Sequence, residues 1–249
     1  MDLLVLSLDT STSLATLGLS RHGALGQIET LESLVVTGQG GHSGTLPPQI
    51  DALLKRHSLK AADLNLIAAG RGPGSFTGLR TGLALAKGLA LGAGVPALGV
   101  PSLAALAWGG NVLGSGQNDS PFLAPVIDAR HGEVFTRLYE PKNACPWPEA
   151  LSEILVLSPE KIMPALKPLD ARGRGIVLLG PALSFLPPPQ AGFTHGPAAA
   201  PDPIALAAQA VWALAQNLGQ ECPLAPLYGR SPDIFKKWTP PTRLTCREP

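Results

Sequence analysis

At 249 residues the chain is long enough to bury a sizeable core as one large domain or two smaller ones, and 45% hydrophobic against 15% charged residues excludes disorder. Its 19 basic and 18 acidic residues leave a formal charge of +1, so no global field draws in nucleic acid or an acidic membrane, and any such contact has to be local. Cys145, Cys222 and Cys246 are odd in number, far apart and without a C-x-x-C pair, which argues against a disulfide framework or a zinc knuckle and fits a reduced, cytoplasmic setting.

The first apolar run, Leu3 to Leu8, has strand length, and Asp2 and Asp9 flank it where a signal peptide would need a basic n-region. The hydroxylic turn Asp9, Thr10, Ser11, Thr12, Ser13 follows, then a second strand-like run from Leu14 to Leu19, so the start reads as a hairpin tipped with hydroxyls. Ala24 to Val36 is a third strand and Gly38 to Gly44 a connector. From Leu46, apolar Ile50, Leu53 and Leu54 recur at helical spacing to about His57, with Pro47 and Pro48 expected in the first turn. Leu64 to Ala69 is a buried strand. The glycine-rich turn GRGPGSFTG then opens a helix to about Leu91, capped by Ser75 or Thr77. Val95 to Val100 returns as a strand, and Ser102 caps a short helix through Trp108.

Gly, Asn and Ser between Gly109 and Ser120 mark a lobe boundary, giving an N-terminal lobe 1–109 and a C-terminal lobe 110–249. The second lobe begins again with strands from Phe122 to Ile127 and Glu133 to Tyr139, a weak echo of the opening hairpin. Pro141 to Pro148 reads as a loop, Ile176 to Leu179 as a strand and Pro187 to Pro189 as a stiff connector. Asp202 and Pro203 introduce an alanine-rich helix from Ile204 to about Leu218. From Cys222 an extended tail carries Arg230, Lys236, Lys237, Arg243 and Arg247 among Tyr228, Phe235 and Trp238, a pattern suited to RNA or to packing on the body. The two long uncharged stretches, 88–118 and 203–220, are broken by Pro96 and Pro101 and by Gln209, Gln216 and Asn217, and fail as membrane spans.

The glycine-rich turn is the most informative segment. Gly70, Gly72 and Gly74 form G-x-G-x-G, not the dinucleotide G-x-G-x-x-G, and no G-x-x-x-x-G-K-[ST] occurs. Phe76 stands where a G-x-S-x-G elbow needs serine, which leaves capping as the role of Ser75. No two histidines fall at i, i+3 or i+4, so no catalytic or metal set emerges. Asp9, Thr10 and Ser11 admit two readings, a phosphate or Mg²⁺ contact or an Asx turn closing the hairpin, and Asp128, Arg130 and Glu133 admit the same two. In the following helix, Gly78, Gly82, Ala86 and Ala90 stand at successive i+4 positions, a ridge almost without side chains that lets another helix come close.

LSLDTSTSLATLGL at the N-terminus, GRGPGSFTGLRTGLALAKGLA, IDARHGEVF at Ile127 to Phe135 and PLYGRSPDI near the end, in that order, closely resemble the TsaB (YeaZ) family. The resemblance spans most of the chain and is weakest from Pro141 to Pro201. It implies an α/β, two-lobed actin-like ATPase (ASKHA) fold, similar to actin, sugar kinases and chaperone ATPases, each lobe a mixed sheet opened by a hairpin and covered by helices. It implies a non-catalytic subunit that binds and supports the transferase TsaD in forming threonylcarbamoyladenosine on tRNA. TsaD carries an H-x-x-x-H metal site and this chain has none. Further implied partners are TsaE, a second copy of the chain in isolation, and tRNA through the complex, with ATP or ADP allowed at the interface of the complex. The interface carries over to Leu46, Ile50, Leu53, Gly74, Ser75, Phe76, Thr77, Gly78, Arg80, Gly82 and Ala86, with the small ridge as the docking surface. One departure is the glycine-rich stretch Gly38 to Thr45 before the first interface helix. The rival reading is an autonomous ATPase or kinase of the same fold using Asp9 and Thr10.

Overall fold

A computed structural model describes residues 2–23, 26–37, 42–111, 120–142 and 145–229. The opening hairpin is present as β1 (Leu3–Asp9) and β2 (Ala15–His22), followed by β3 (Ile28–Val36) after a turn at Gly23 and Gly26. Helix α1 (His42–Arg56) leads to β4 (Leu66–Gly70), then α2 (Phe76–Ala93), β5 (Ala97–Val100) and α3 (Ser102–Asn111). These strands form one sheet in the order β3-β2-β1-β4-β5, antiparallel through the hairpin and parallel from β1 onward.

The second half repeats the plan. Strands β6 (Phe122–Arg130) and β7 (Glu133–Thr136) make the hairpin, turned by three consecutive residues of positive φ, Arg130, His131 and Gly132. Short strands β8 (Tyr139–Glu140) and β9 (Glu149–Ala150) pair with each other, and β10 (Leu155–Leu157) precedes α4 (Pro159–Leu166). Strands β11 (Ile176–Leu179) and β12 (Phe193–His195) and helix α5 (Pro203–Ala215) complete the regular elements among the described residues. The sheet order β10-β7-β6-β11-β12 matches the first sheet position for position, so the mixed α/β two-lobed ASKHA-like architecture is present.

Alternation along the strands creates three cores. Leu4, Leu6 and Leu8 of β1 and Ile67 and Ala69 of β4 point to α1 and α2, whereas Val5, Leu66 and Ala68 point to the opposite face. In β6, Phe122, Ala124 and Val126 face α4, while Leu123, Ile127 and Ala129 face the other way. Between the two sheets lie α3 and α5, exchanged between the halves: α3 packs on β6, whereas α5 crosses β1, β2 and β4. A cut at 109/110 thus passes through one shared central core. Buried Gln209 stitches it, donating from Nε2 to the carbonyls of Ala104 and Pro146 while its main-chain carbonyl accepts from Trp147 Nε1.

Several boundaries differ from the sequence-based expectation. Helix α1 begins at His42, inside the expected connector, so Pro47 and Pro48 lie within the helix and not in its first turn. Both prolines are exposed, and burial of Leu46, Ile50, Leu53 and Leu54 holds the helix despite the missing N–H groups. Strands β9, β10 and β12 and helix α4 lie in stretches to which the sequence assigns no element, and β8 starts at the last residue of the expected strand Glu133 to Tyr139. They are short, and Pro159 and Pro164 obscure the period of α4. The tail from Arg230, including Cys246, lies outside the described residues.

Candidate functional site

The end of β1, the glycine-rich turn and the start of α2 meet at one point. Asp9 is fully buried there: Oδ1 accepts from the Ser11 amide at 2.7 Å and the Ser11 hydroxyl at 2.6 Å, and Oδ2 accepts from Ser102 Oγ at 2.5 Å. Ser102 is the first residue of α3, not its cap. Its hydroxyl also accepts from Gly72 N at 3.1 Å, tying the glycine-rich turn to the next helix. Thr10 Oγ1 donates to the Gly78 carbonyl at 2.8 Å, and Ser75 N donates to the Ser11 carbonyl at 2.7 Å.

This corrects the phosphate reading of Asp9, Thr10 and Ser11. Their polar atoms are engaged by their own chain, and Thr10 and Ser11 are each only 1% exposed. The hairpin tip is a joint between β1, α2 and α3. The Asx-turn alternative is the one observed, since Asp9 accepts from the residue two positions on. At the second hairpin, Asp128 likewise accepts from Arg130 N at 2.7 Å and pairs with the Arg130 guanidinium.

The ridge Gly78, Gly82, Ala86, Ala90 is also filled from within. A Cβ on Gly82 would lie 2.2 Å from Thr10 Oγ1, and one on Gly78 would lie 2.2 Å from the Thr10 carbonyl. Gly74, at φ +158°, brings its Cα so close that a Cβ would sit 2.1 Å from the Ser11 carbonyl. Leu46, Ile50 and Leu53 of α1 and Ala86 of α2 belong to the core under the first sheet. Leu46, Leu53, Gly78, Gly82 and Ala86 are therefore taken up by the chain's own packing where the resemblance implies a docking face, while Ile50, also mostly buried, reaches the groove beside α2. Leucines 79 and 83 lie next to the ridge, and burying them takes the ridge in with them.

The rest of the expected set gathers at the exposed start of α2. Ser75 caps the helix, its hydroxyl accepting from Gly78 N at 3.2 Å. Phe76, Thr77 and Arg80 are exposed, and Gly74 and Ser75 are partly so. Tyr228, named in the sequence as a tail aromatic suited to RNA or to packing on the body, does pack on the body: its ring lies 5.3 Å from that of Phe76 and its hydroxyl accepts a hydrogen bond from Arg80. Not foreseen from the sequence is a second small ridge on α2, Ala84, Gly88 and Gly92, on the side opposite the first. A methyl group added at Gly88 or Gly92 would have nothing within 4 Å, and neighbouring Leu91 is 86% exposed. The i+4 spacing of this ridge is as plain in the sequence as that of the first. Beside it, Pro47, Ile50, Leu54, Leu59, Ala61 and Leu89 line a groove of about 580 Å³.

Asp51, Lys55 and Lys60 share the lining of that groove, with Lys55 donating to Asp51 at 2.7 Å. Glu32 of β3 accepts from Arg56 at 2.6 Å and contacts His57 at 2.9 Å, and the Arg56 hydrogen bond holds the Glu32 carboxyl below its usual range. On the buried side of the sheet, His22 meets Ser20 Oγ at 2.9 Å, and desolvation lowers its pKa. Among the described residues no three His, Cys, Asp or Glu side chains converge to hold a metal, and no helix is long and apolar enough to cross a membrane.

Comparison with known proteins agrees with the shared layout. The chain is 32% identical over 166 residues to the Escherichia coli K12 protein named tRNA threonylcarbamoyladenosine biosynthesis protein TsaB, covering 67% of each chain. It is 34% identical over 173 residues to the protein of the same name from Haemophilus influenzae, covering 67% of this chain and 69% of that one. The chain belongs to the TsaB (YeaZ) family. An uncharacterized protein of Mycobacterium tuberculosis H37Rv is similar over nearly the whole length, 32% identical across 92% of both chains. YeaZ from Pseudomonas aeruginosa superposes with a TM-score of 0.70 at 25% identity, over 91% of this chain and 99% of that structure. The family model described as TsaD, tRNA N6-adenosine threonylcarbamoyltransferase, matches residues 37–153, which contain α1, the glycine-rich turn and α2. That matched region holds both small ridges of α2 and the Gly78 and Ser102 side of the joint, while Asp9, Thr10 and Ser11 precede it.

Proposed function

We propose that this chain takes part in tRNA threonylcarbamoyladenosine biosynthesis as a non-catalytic subunit that binds and supports a transferase of the TsaD family. The family membership supports the pathway, and one observation supports the subunit role. The outer face of α2 offers an open stripe of Ala84, Gly88 and Gly92 beside protruding Leu91 and the α1 groove, a surface on which a partner helix can lie at close range. In this reading the transferase packs against that stripe, and without it two copies of the chain pair through the same face. TsaE joins the assembled pair, and ATP or ADP is held between subunits and not by the hairpin tip. A cytoplasmic location accords with a tRNA substrate.

The autonomous ATPase or kinase reading has little to stand on, because the Asp9 carboxylate it needs is buried and engaged by Ser11 and Ser102. The test is co-purification with the TsaD-family transferase of the same organism, read together with threonylcarbamoyladenosine content of tRNA in a strain depleted of its own TsaB. Leu91→Glu and Gly88→Trp should each abolish capture and modification while the chain melts as before. A chain that restores neither, or variants that keep full capture, would overturn the proposal.

A further inference from the structure

Arg21, Arg56, Arg130 and Arg174 each pair with a carboxylate, from Glu29, Glu32, Asp128 and Glu140 respectively. Arg80 does not. Its guanidinium carbon lies 3.9 Å from the centroid of the Phe76 ring, and its Nε donates to the Tyr228 hydroxyl at 3.3 Å. The two rings stand 5.3 Å apart at an angle of 30°. Arg80 is exposed, and among the described residues no carboxylate lies within ion-pair distance of it. Helix α2 itself carries Arg80 and Lys87 and no acidic residue, so the charge at its exposed end is left for something beyond the helix and its described neighbours.

The cluster is held rigidly although it lies on the surface. The segment from Cys222 to Gly229 is strapped across the lobe, with Gly99 N donating to the Cys222 carbonyl at 2.9 Å and Leu227 N donating to the Arg71 carbonyl at 2.7 Å. Gly229 fits against Phe135 and Pro73, where a Cβ would lie 2.6 Å from the Phe135 ring. These contacts deliver the Tyr228 side chain to the first turn of α2. Phe76 and Tyr228 nevertheless remain 41% and 40% exposed. Immediately after the strap the sequence supplies Arg230, Lys236, Lys237, Arg243 and Arg247 against Asp233 and Glu248, with Phe235 and Trp238 among them.

We propose that Phe76, Arg80 and Tyr228 form a contact platform for unpaired RNA nucleotides, tRNA being the RNA at hand if the subunit reading above holds. Unneutralised Arg80 attracts a phosphate, and the half-exposed Tyr228 ring together with the Arg80 guanidinium stacked on Phe76 offers planes on which a base stacks. An acidic peptide would match the charge and leave the rings without a role, so the combination favours RNA. The platform lies about 16 Å along α2 from Leu91. Arg80 also stands one turn before Ala84 on the i+4 row that runs on to Gly88 and Gly92, so the platform borders the stripe proposed for the partner.

The test is fluorescence anisotropy of labelled tRNA with the full chain across a salt series. Arg80→Gln should weaken binding about tenfold and lower the slope of log K against log salt by roughly 0.7–1, the loss of one phosphate contact. Tyr228→Leu should weaken binding several-fold with the slope unchanged, because it removes stacking and not charge. Ultraviolet cross-linking of the unaltered chain should place RNA on the peptides holding Phe76 and Tyr228, a readout independent of how any variant folds. Wild-type affinity and slope in Arg80→Gln, or cross-links that avoid both peptides, overturn the platform. So does an Arg80→Gln chain that loses the transferase while keeping tRNA, since the cluster is then a protein contact. The two proposals fail separately: RNA binding through the platform without restored tRNA modification refutes only the subunit role, and restored modification with no platform dependence refutes only the platform.

Discussion

The two small ridges of α2 have similar compositions and opposite fates. Gly78, Gly82, Ala86 and Ala90 turn inward, where the Thr10 backbone and hydroxyl press against the helix. Ala84, Gly88 and Gly92 turn outward into open space. On the inner side glycine is a steric requirement of the fold. On the outer side no contact among the described residues calls for it, and it is a standing cost in helix propensity of up to about 1 kcal/mol per glycine. Glycines that no described contact requires are the ground on which we propose the second ridge as the partner's surface.

The largest effect separating the two ridges is expected from Gly82→Leu. With the Cβ position only 2.2 Å from Thr10 Oγ1, the hairpin tip must be displaced, at a cost of about 3 kcal/mol. Thermal denaturation should show a loss of roughly 6–12 °C for a chain of this size. A Gly82→Leu protein that melts normally and fails only in partner capture would restore the inner ridge as an interface. Next comes Ser102→Ala, which removes a donor from the buried Asp9 carboxylate and should cost about 1–3 kcal/mol in chemical denaturation. No change would mean that the joint between β1 and α3 is not held there.

Acidification loads the buried side of the sheet and leaves the outer ridge alone. His22 is neutral in the fold with its pKa lowered by desolvation, so the unfolded chain takes up a proton first. Stability that is complete above about pH 6.5 should decline as pH falls below that value and level off once the folded-state pKa is passed. Melting temperatures of the natural chain and of His22→Gln should diverge in pH dependence over that window, and parallel curves would exclude His22 as the cause. The smallest effect is expected from Gly88→Ala, which meets nothing and should raise stability by about 0.5–1 kcal/mol, as replacement of an exposed helical glycine does. Destabilisation would show that the outer ridge has a hidden intramolecular contact.

Much of the fold is legible in the residues. The apolar run Leu3 to Leu8 has the length of β1, Asp202 and Pro203 announce α5, and Ser75 reads as a cap, a role that its bond to Gly78 N bears out. The region from Pro141 to Pro201 is poorly legible, because strands of two or three residues are too short for a period and Pro164 interrupts the pattern of α4. In the site, the glycines do mark places of close approach, and sequence reasoning assigns the wrong partner to that approach. Thr10 lies 68 residues from the Gly78 carbonyl it binds, a distance no local spacing can bridge. Tyr228 is a further case, since only the strap held by Gly99 and Arg71 brings it to Phe76.

Sequence by itself determined the alternation of strands and helices, the duplicated hairpin and the closeness of approach around α2, because these follow from local periodicity and the absence of Cβ atoms. Tertiary structure alone decided which small ridge faces inward, that Asp9 is a buried joint bonded to Ser11 and Ser102, and that Arg80 is oriented by Phe76 and Tyr228. Each of those outcomes depends on which distant segment fills the space beside a residue, and packing across the sheets settles that.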